Sequence, residues 1–168
     1  MDSSEPTVPA DAVTGDEATS IGVHEILSAA GAGAVGQATM VPFFVAAYLL
    51  GATSPASFTG LAELFGLSAS SQWALPLGIA LFFAGGTVTL PVLFVSLAEF
   101  LPPERDMGLR GVSFAVIVWT GFVIAFSTGQ TGWTLVLYGA LSLAAHVTYG
   151  YTLGALYDRF ADAPRYDV

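Results

Sequence analysis

Four long stretches of apolar residues alternate with short polar segments along the chain. They cover about residues 26–50, 73–101, 111–128 and 133–157. A helix needs about 20 mostly apolar residues to cross a bilayer. None of the four stretches has the polar face that a helix of a soluble bundle would show. The pattern predicts an all-α fold, an integral membrane bundle of four transmembrane helices within residues 21–160.

The segments between the apolar stretches contain two further features. Residues 58–65 form an amphipathic stretch, which predicts a short interfacial helix after the first span. Pro76 and Pro91 interrupt the second span, and proline inside a helix usually kinks it. Residues 161–168 remain as a short C-terminal tail.

The N-terminus is acidic. Residues 1–20 contain Asp2, Glu5, Asp11, Asp16 and Glu17 and no basic residue. A secretory signal would begin with a basic segment followed by a short apolar core, so the sequence does not indicate one. The composition predicts a disordered, solvated tail.

The basic residues predict the orientation in the membrane. The chain has no lysine, and its four basic residues are the arginines at positions 105, 110, 159 and 165. With four spans, the loop that holds the first pair and the tail that holds the second pair lie on the same side. By the positive-inside rule this side is the cytoplasm, so both termini are predicted to be cytoplasmic in a multi-pass protein of the cell membrane.

Aromatic residues at the span ends agree with this orientation. Trp73 and Trp133 are predicted at the outer interface, and Tyr157 and Phe160 at the inner one.

Composition excludes several classes of function. Hydrophobic residues make up 54% of the chain and charged residues 10%, and the net charge is −9. Nucleic-acid binding requires clustered lysine and arginine, so no nucleic-acid partner is predicted. The absence of cysteine excludes disulfides, thiolate metal sites and cysteine nucleophiles. Acid-rich polar segments without lysine or cysteine resemble the composition of proteins from extreme halophiles.

His146 is the only ionisable residue near the middle of a span. It lies about 16 Å from the end of the fourth span, by the helical rise of 1.5 Å per residue. Gly150 and Gly154 follow at steps of four and form a GxxxG pair, so they are predicted as helix-packing residues. His146 could bind haem b or a metal, or relay protons. The favoured interpretation is a neutral imidazole that makes a hydrogen bond across a helix interface, with no cofactor or metal site.

His24, Glu25 and Glu99 form a second candidate polar group. All three lie near the predicted cytoplasmic ends of the first two spans. They could take up protons or bind a cation. The favoured interpretation is that they are interfacial side chains that reach water.

No soluble catalytic signature is present. The cluster from Gly31 to Gly36 superficially suggests a nucleotide-binding loop, but it lies within an apolar span and has no preceding strand. Helix packing accounts for it better. No catalytic residue is predicted, and the chain is not expected to be an enzyme.

The fourth span resembles the end of a family of small haloarchaeal four-span membrane proteins of unknown function. The resemblance rests on His146, Tyr149-Gly150, Leu153-Gly154 and Tyr157, and on a glycine-rich first span like that from Gly31 to Gly36. It implies association with haem–copper terminal oxidases. It carries no catalytic residue over to this chain.

Two functional hypotheses follow. The first is a non-catalytic integral membrane subunit of a larger complex, with a respiratory terminal oxidase as the leading partner. Its partners would be the lipid bilayer and other membrane subunits, or further copies of itself. The alternative is a small oligomeric transporter or channel for a cation or proton. The kinked second span and the His24, Glu25 and Glu99 group motivate that alternative.

Overall fold

A computed structural model describes residues 22–127 and 129–161. Across these residues the protein consists of helices and turns and contains no strand. The predicted acidic tail 1–20 and Arg165 lie outside the described residues.

Within the described residues the structure contains six α-helices. The helices are α1 (Val23–Leu49), α2 (Thr59–Glu63), α3 (Ala74–Ala84), α4 (Leu90–Leu97), α5 (Met107–Ala125) and α6 (Gly132–Phe160). A 3-10 turn, Pro55–Phe58, leads into α2, and a π-helical turn, Gly85–Thr89, joins α3 to α4. Another 3-10 turn, Ala98–Phe100, follows α4, and residues 101–106 lead to α5.

Three helical stretches are long and apolar enough to cross a membrane. They are Val23–Leu49, Ala74–Phe100 and Met107–Ala125. The protein is therefore all-helical and compatible with a multi-pass membrane protein, as the hydropathy pattern predicts.

α6 is the longest helix, with 29 residues, but it is not one of these three. Its buried face carries Tyr138, His146, Tyr149 and Tyr157 among small residues, which lowers its hydropathy. The helix packs chiefly against α5 and α1. A helix that faces other helices needs less apolar surface than one that faces lipid.

α1 and α6 run antiparallel. At one end the Ser28 hydroxyl donates a hydrogen bond to the Phe160 carbonyl at 3.3 Å. At the other end the Gln130 amide donates to the Ala52 carbonyl at 3.2 Å. The two contacts join the start of α1 to the end of α6, and the loop after α1 to the loop before α6.

Side-chain caps determine where α1 and α5 begin. The Glu25 carboxylate accepts a hydrogen bond from the Gly22 backbone N–H at 2.8 Å, and α1 begins at Val23. The Asp106 carboxylate accepts from the Leu109 N–H at 2.9 Å, and α5 begins at Met107, before the apolar stretch that starts at about residue 111. Carboxylates stabilise these helix starts by occupying N–H groups that lack an intrahelical acceptor.

The two prolines of the second apolar stretch behave differently. Pro76 lies in the first turn of α3, where its missing N–H would have no intrahelical acceptor, and it interrupts nothing there. The prediction of a break at Pro76 is therefore wrong. Pro91 is the second residue after the π-helical turn Gly85–Thr89, so the irregularity lies just before this second proline.

The amphipathic segment after α1 folds against the bundle. Phe58 makes edge-to-face contacts with Phe44, Phe82 and Phe126, with ring centroids 5.2 to 6.4 Å apart. Gly78 allows this approach, because a Cβ there would lie 2.6 Å from the Phe58 carbonyl carbon. The predicted interfacial helix is thus a 3-10 turn and one turn of α-helix that close one end of the bundle.

Tyr157 also differs from its prediction as an interfacial anchor. It is buried, and its ring contacts that of Phe94 with centroids 6.2 Å apart. Trp73 and Trp133 are exposed, 65% and 71% of their surface respectively.

Candidate functional site: a buried histidine between two cavities

His146 lies in the middle of α6 and is 5% exposed. Its Nδ1 is 2.8 Å from the Ser142 carbonyl oxygen, one turn earlier. A carbonyl only accepts, so Nδ1 carries the hydrogen, and in the neutral ring Nε2 is a bare acceptor. Nε2 makes no hydrogen bond to any residue that the structure describes. The imidazole packs beside the Phe122 ring, with centroids 5.5 Å apart.

Two cavities meet at His146. The first, of about 240 Å³, is bounded by α1, α3, α5, α6 and the Pro55–Phe58 turn. The second, of about 290 Å³, is bounded by α1, α2, α3, the π-helical turn, α5 and α6. Phe82, Phe122 and His146 line both cavities and form the wall between them. Most of the other lining residues are apolar.

Gln37 on α1 also lines the second cavity. It is 4% exposed, and its Nε2 donates to the Phe82 carbonyl oxygen at 3.1 Å. This bond fixes the orientation of the amide, since only the nitrogen can donate to a carbonyl. The amide oxygen Oε1 is buried and has no hydrogen-bond partner in the described part of the chain.

Gly86 makes room for Gln37. A Cβ on Gly86 would lie 2.5 Å from the Gln37 amide carbon and closer still to Nε2. Glycine in the π-helical turn therefore allows the amide to lie directly against the backbone of the neighbouring helix.

The Tyr149 hydroxyl supplies a hydrogen bond that the irregular turn before Pro91 lacks. In a π-helical turn the acceptor at Gly86 would pair with the N–H five residues later, and that residue is Pro91, which has none. The Tyr149 hydroxyl donates to the Gly86 carbonyl at 2.7 Å instead. The polar interior therefore joins three helical segments: Gln37 from α1, Gly86 from the second apolar stretch, and Tyr149 and His146 from α6.

Gly150 and Gly154 lie where α6 crosses α5. A Cβ on Gly150 would lie 2.8 Å from the Gly111 carbonyl carbon, and one on Gly154 would lie 2.8 Å from the Met107 carbonyl carbon. The backbones of the two helices are thus nearly in contact at these glycines. The GxxxG pair is occupied within the chain by α5.

His24, Glu25 and Glu99 lie near helix ends. His24 and Glu99 are exposed, and the Glu25 carboxylate caps α1. Within residues 22–127 and 129–161 no three His, Asp or Glu side chains are placed to hold a metal ion. The structure does not bring the three together as a cation site.

Sequence reasoning missed Gln37. The signal was available, since it is a lone amide in a span without charges, where a polar side chain requires a partner. What the sequence could not indicate is the pairing of its nitrogen with the Phe82 carbonyl, which depends on how α1 lies against α3.

A family pattern matches residues 23–168 and therefore includes all six helices. The chain belongs to the family of unknown function DUF6789. The DUF6789 match begins where α1 begins and leaves the acidic segment before it outside. No curated protein and no solved structure matches the chain.

Proposed function

We propose that the chain is a four-span protein of the cell membrane with both termini in the cytoplasm. It serves as a non-catalytic subunit that packs into a larger membrane complex. The antiparallel pairing of α1 with α6 supports four crossings. The contact of Phe94 with Tyr157, near the ends of α4 and α6, supports an arrangement in which the loop with Arg105 and Arg110 and the end of α6 with Arg159 share one side. Arginines on one side favour the cytoplasm.

The outward face of α1 is the observation that carries the assembly role. Gly33 and Gly36 face inwards and are buried against the second apolar stretch and α6. On the other side of the same helix, Gly31, Ala34 and Ala38 are exposed, and a Cβ on Gly31 would meet no atom within 4 Å. Membrane helices associate through small residues that allow close backbone approach. α1 thus offers a second small-residue face to a helix of another chain.

A haem–copper terminal oxidase is the first partner to test. Its only support is the resemblance of the first and fourth spans to small haloarchaeal membrane proteins. The GxxxG pair of α6 contributes nothing here, because α5 occupies it.

Purification in a mild detergent tests the assembly role. The tagged chain is extracted from its native membrane, and the co-purifying chains are identified by mass spectrometry. We expect stoichiometric membrane subunits, redox subunits among them if the partner is an oxidase. A monomeric chain without partners would contradict the proposal.

Two matched variants locate the contact. Gly31→Leu fills the outward face of α1 and should release the partner. Gly121→Leu makes the same change on exposed α5 surface, where a Cβ also meets no atom within 4 Å, and should leave the complex intact. If Gly121→Leu released the partner and Gly31→Leu did not, the α1 face would be the wrong surface.

A small oligomeric transporter or channel for a cation or proton is the second candidate. The π-helical turn between α3 and α4, with cavities beside it, favours this candidate, because interrupted helices often mark transport sites. Flux into liposomes tests it. Transport that His146→Ala and Glu99→Gln both leave unchanged would count against a path through these residues.

A further inference from the structure

We propose that the first cavity is a binding site for a small lipid-soluble aromatic compound with one hydroxyl group. The hydroxyl would donate a single hydrogen bond to His146 Nε2, and the ring would lie among the aromatic side chains that line the cavity. This inference does not depend on the proposed subunit role.

His146 Nε2 is an acceptor that a ligand can reach. The other ring nitrogen, Nδ1, donates to the Ser142 carbonyl of the same helix, so the Nε2 edge points away from that carbonyl. Within residues 22–127 and 129–161, the side-chain N and O atoms that are both enclosed and without a hydrogen-bond partner are Gln37 Oε1 and Ser57 Oγ. Nε2 has no partner there either, but it is not one of these enclosed atoms. It therefore keeps accessible surface, on a side chain that borders the first cavity.

The other polar side chains that α5 and α6 contribute to the first cavity have partners. The Ser142 hydroxyl accepts from the Trp119 Nε1–H at 2.9 Å and donates to the Gly139 carbonyl at 3.2 Å. The Tyr138 hydroxyl donates to the Val123 carbonyl at 3.4 Å. Among the described residues, the histidine Nε2 is thus the polar side-chain atom that these two helices present to the cavity without a partner. One hydroxyl donor is enough to satisfy it.

The size and lining of the first cavity indicate the rest of the ligand. Its volume is about 240 Å³. An apolar cavity of about 150 Å³ takes benzene, and pockets for drug-sized ligands begin near 300 Å³. One ring with small substituents therefore fits. Most of the lining is aromatic, which favours a ring in edge-to-face or offset contact. The aromatic residues nearest the middle of the bundle are Phe44, Phe58, Phe82, Trp119, Phe122 and Phe126.

The first cavity also reaches the outer surface of α1. Val45 and Tyr48 line it, and they are 51% and 57% exposed. α1 is long and apolar enough to cross a membrane. An opening beside such a helix admits compounds that dissolve in lipid, so the ligand is expected to enter from the bilayer.

Fluorine NMR of the whole chain in lipid nanodiscs tests the proposal. The probe is para-fluorophenol, and its methyl ether, para-fluoroanisole, is the matched compound without a donor. Empty nanodiscs correct for partition into lipid. We expect saturable binding of the phenol and about tenfold weaker binding of the ether, the loss that corresponds to one hydrogen bond.

The variant His146→Phe tests the acceptor. It keeps a ring at this position and removes Nε2. We expect phenol binding to weaken about tenfold and ether binding to change little, so that the variant no longer distinguishes the two compounds. A purely structural role of His146 would weaken the binding of both compounds alike and leave the preference for the phenol.

Two matched variants assign the binding to one cavity. Val45→Phe adds a ring at an exposed position that lines only the first cavity, and should weaken the binding of both compounds. Thr89→Phe adds a ring to a side chain of similar size, at an exposed position that lines only the second cavity, and should leave binding unchanged.

Four results would overturn the proposal. Absence of saturable phenol binding would exclude a site of this class. Equal binding of phenol and ether to the unaltered chain would show that no hydrogen bond is made. A preference for the phenol that persists in His146→Phe would exclude Nε2 as the acceptor. A loss of binding in Thr89→Phe without one in Val45→Phe would place the ligand in the second cavity.

Discussion

The two sides of the bundle interior are packed in opposite ways. On one side, α6 meets α1 and α5 through a glycine interface, formed by Gly36, Gly111, Gly150 and Gly154. On the other side, the second apolar stretch meets α5 through an aromatic interface, formed by Phe82, Phe94, Phe114, Phe122 and Phe126. Both cavities border the aromatic interface, at Phe82 and Phe122.

The difference shows what each interface can do. At the glycine interface backbones touch, so no side chain can be added and the helix positions are fixed. At the aromatic interface rings hold the helices apart, as in the 6.2 Å contact of Phe82 with Phe122. Large rings fill such a gap incompletely, and the space that remains forms the two cavities that meet at His146. The glycine interface holds the helices close together, and the aromatic interface leaves the two cavities open.

The largest effect is expected from a methyl group added to the glycine interface. In Gly150→Ala the new Cβ would lie 2.5 Å from that of Ala115, and the Gly111 backbone cannot yield as a flexible side chain would. We expect a loss of about 3 kcal/mol in the free energy of unfolding. Denaturant titration in detergent, followed by circular dichroism, measures it.

Gly139→Ala is the matched control on the same helix. A Cβ there meets no atom within 4 Å, so only helix propensity acts and the free energy of unfolding should rise by up to about 1 kcal/mol. Equal effects of the two substitutions would mean that α5 and α6 do not touch at Gly150.

A smaller effect is expected where the two interfaces meet, at Tyr149. Tyr149→Phe removes the donor to the Gly86 carbonyl and leaves that buried oxygen without a partner. The expected loss in the free energy of unfolding is about 1.5 kcal/mol. Tyr151→Phe, at a 51% exposed tyrosine of the same helix, should be nearly neutral in the same titration. If Tyr149→Phe left the free energy of unfolding unchanged, another group would have to donate a hydrogen bond to the Gly86 carbonyl oxygen.

The smallest effect is expected at the cavity wall. Phe122→Leu removes part of a ring that already borders both cavities, and we expect a loss of about 1 kcal/mol. Phe94→Leu makes the same change at a fully buried ring of the aromatic interface that lines neither cavity, and should cost more. If Phe122→Leu and Phe94→Leu lowered the free energy of unfolding equally, Phe122 would be packed as tightly as Phe94. The two cavities beside Phe122 would then not be open space.

Hydropathy was sufficient to predict an all-helical fold with helices long and apolar enough to cross a membrane, because a long uncharged apolar run is stable in a bilayer when its backbone forms a helix. Helix starts were less predictable. The charged segment before residue 111 looked like loop, whereas the carboxylate of Asp106 begins α5 inside it. The location of Phe58 was not predictable either, since its burial depends on glycine at position 78 in another helix.

The candidate site was predictable only in part. His146 was identifiable because an ionisable residue in mid-span is rare. The sequence suggested a bond from His146 across a helix interface, but its ring instead donates to Ser142 within its own helix. Gln37 became a candidate only through its contact with Phe82, which joins residues 45 positions apart.

The central claim is that α6 crosses the membrane as the fourth span, inside the bundle. Because the chain has no cysteine, single cysteines can be placed at Ser70, Glu104, Ser127 and Asp158 and labelled with a membrane-impermeant maleimide on intact cells. We expect labelling at positions 70 and 127, and at 104 and 158 only after the membrane is permeabilised. Labelling of position 158 on intact cells together with position 127 would show that α6 does not cross.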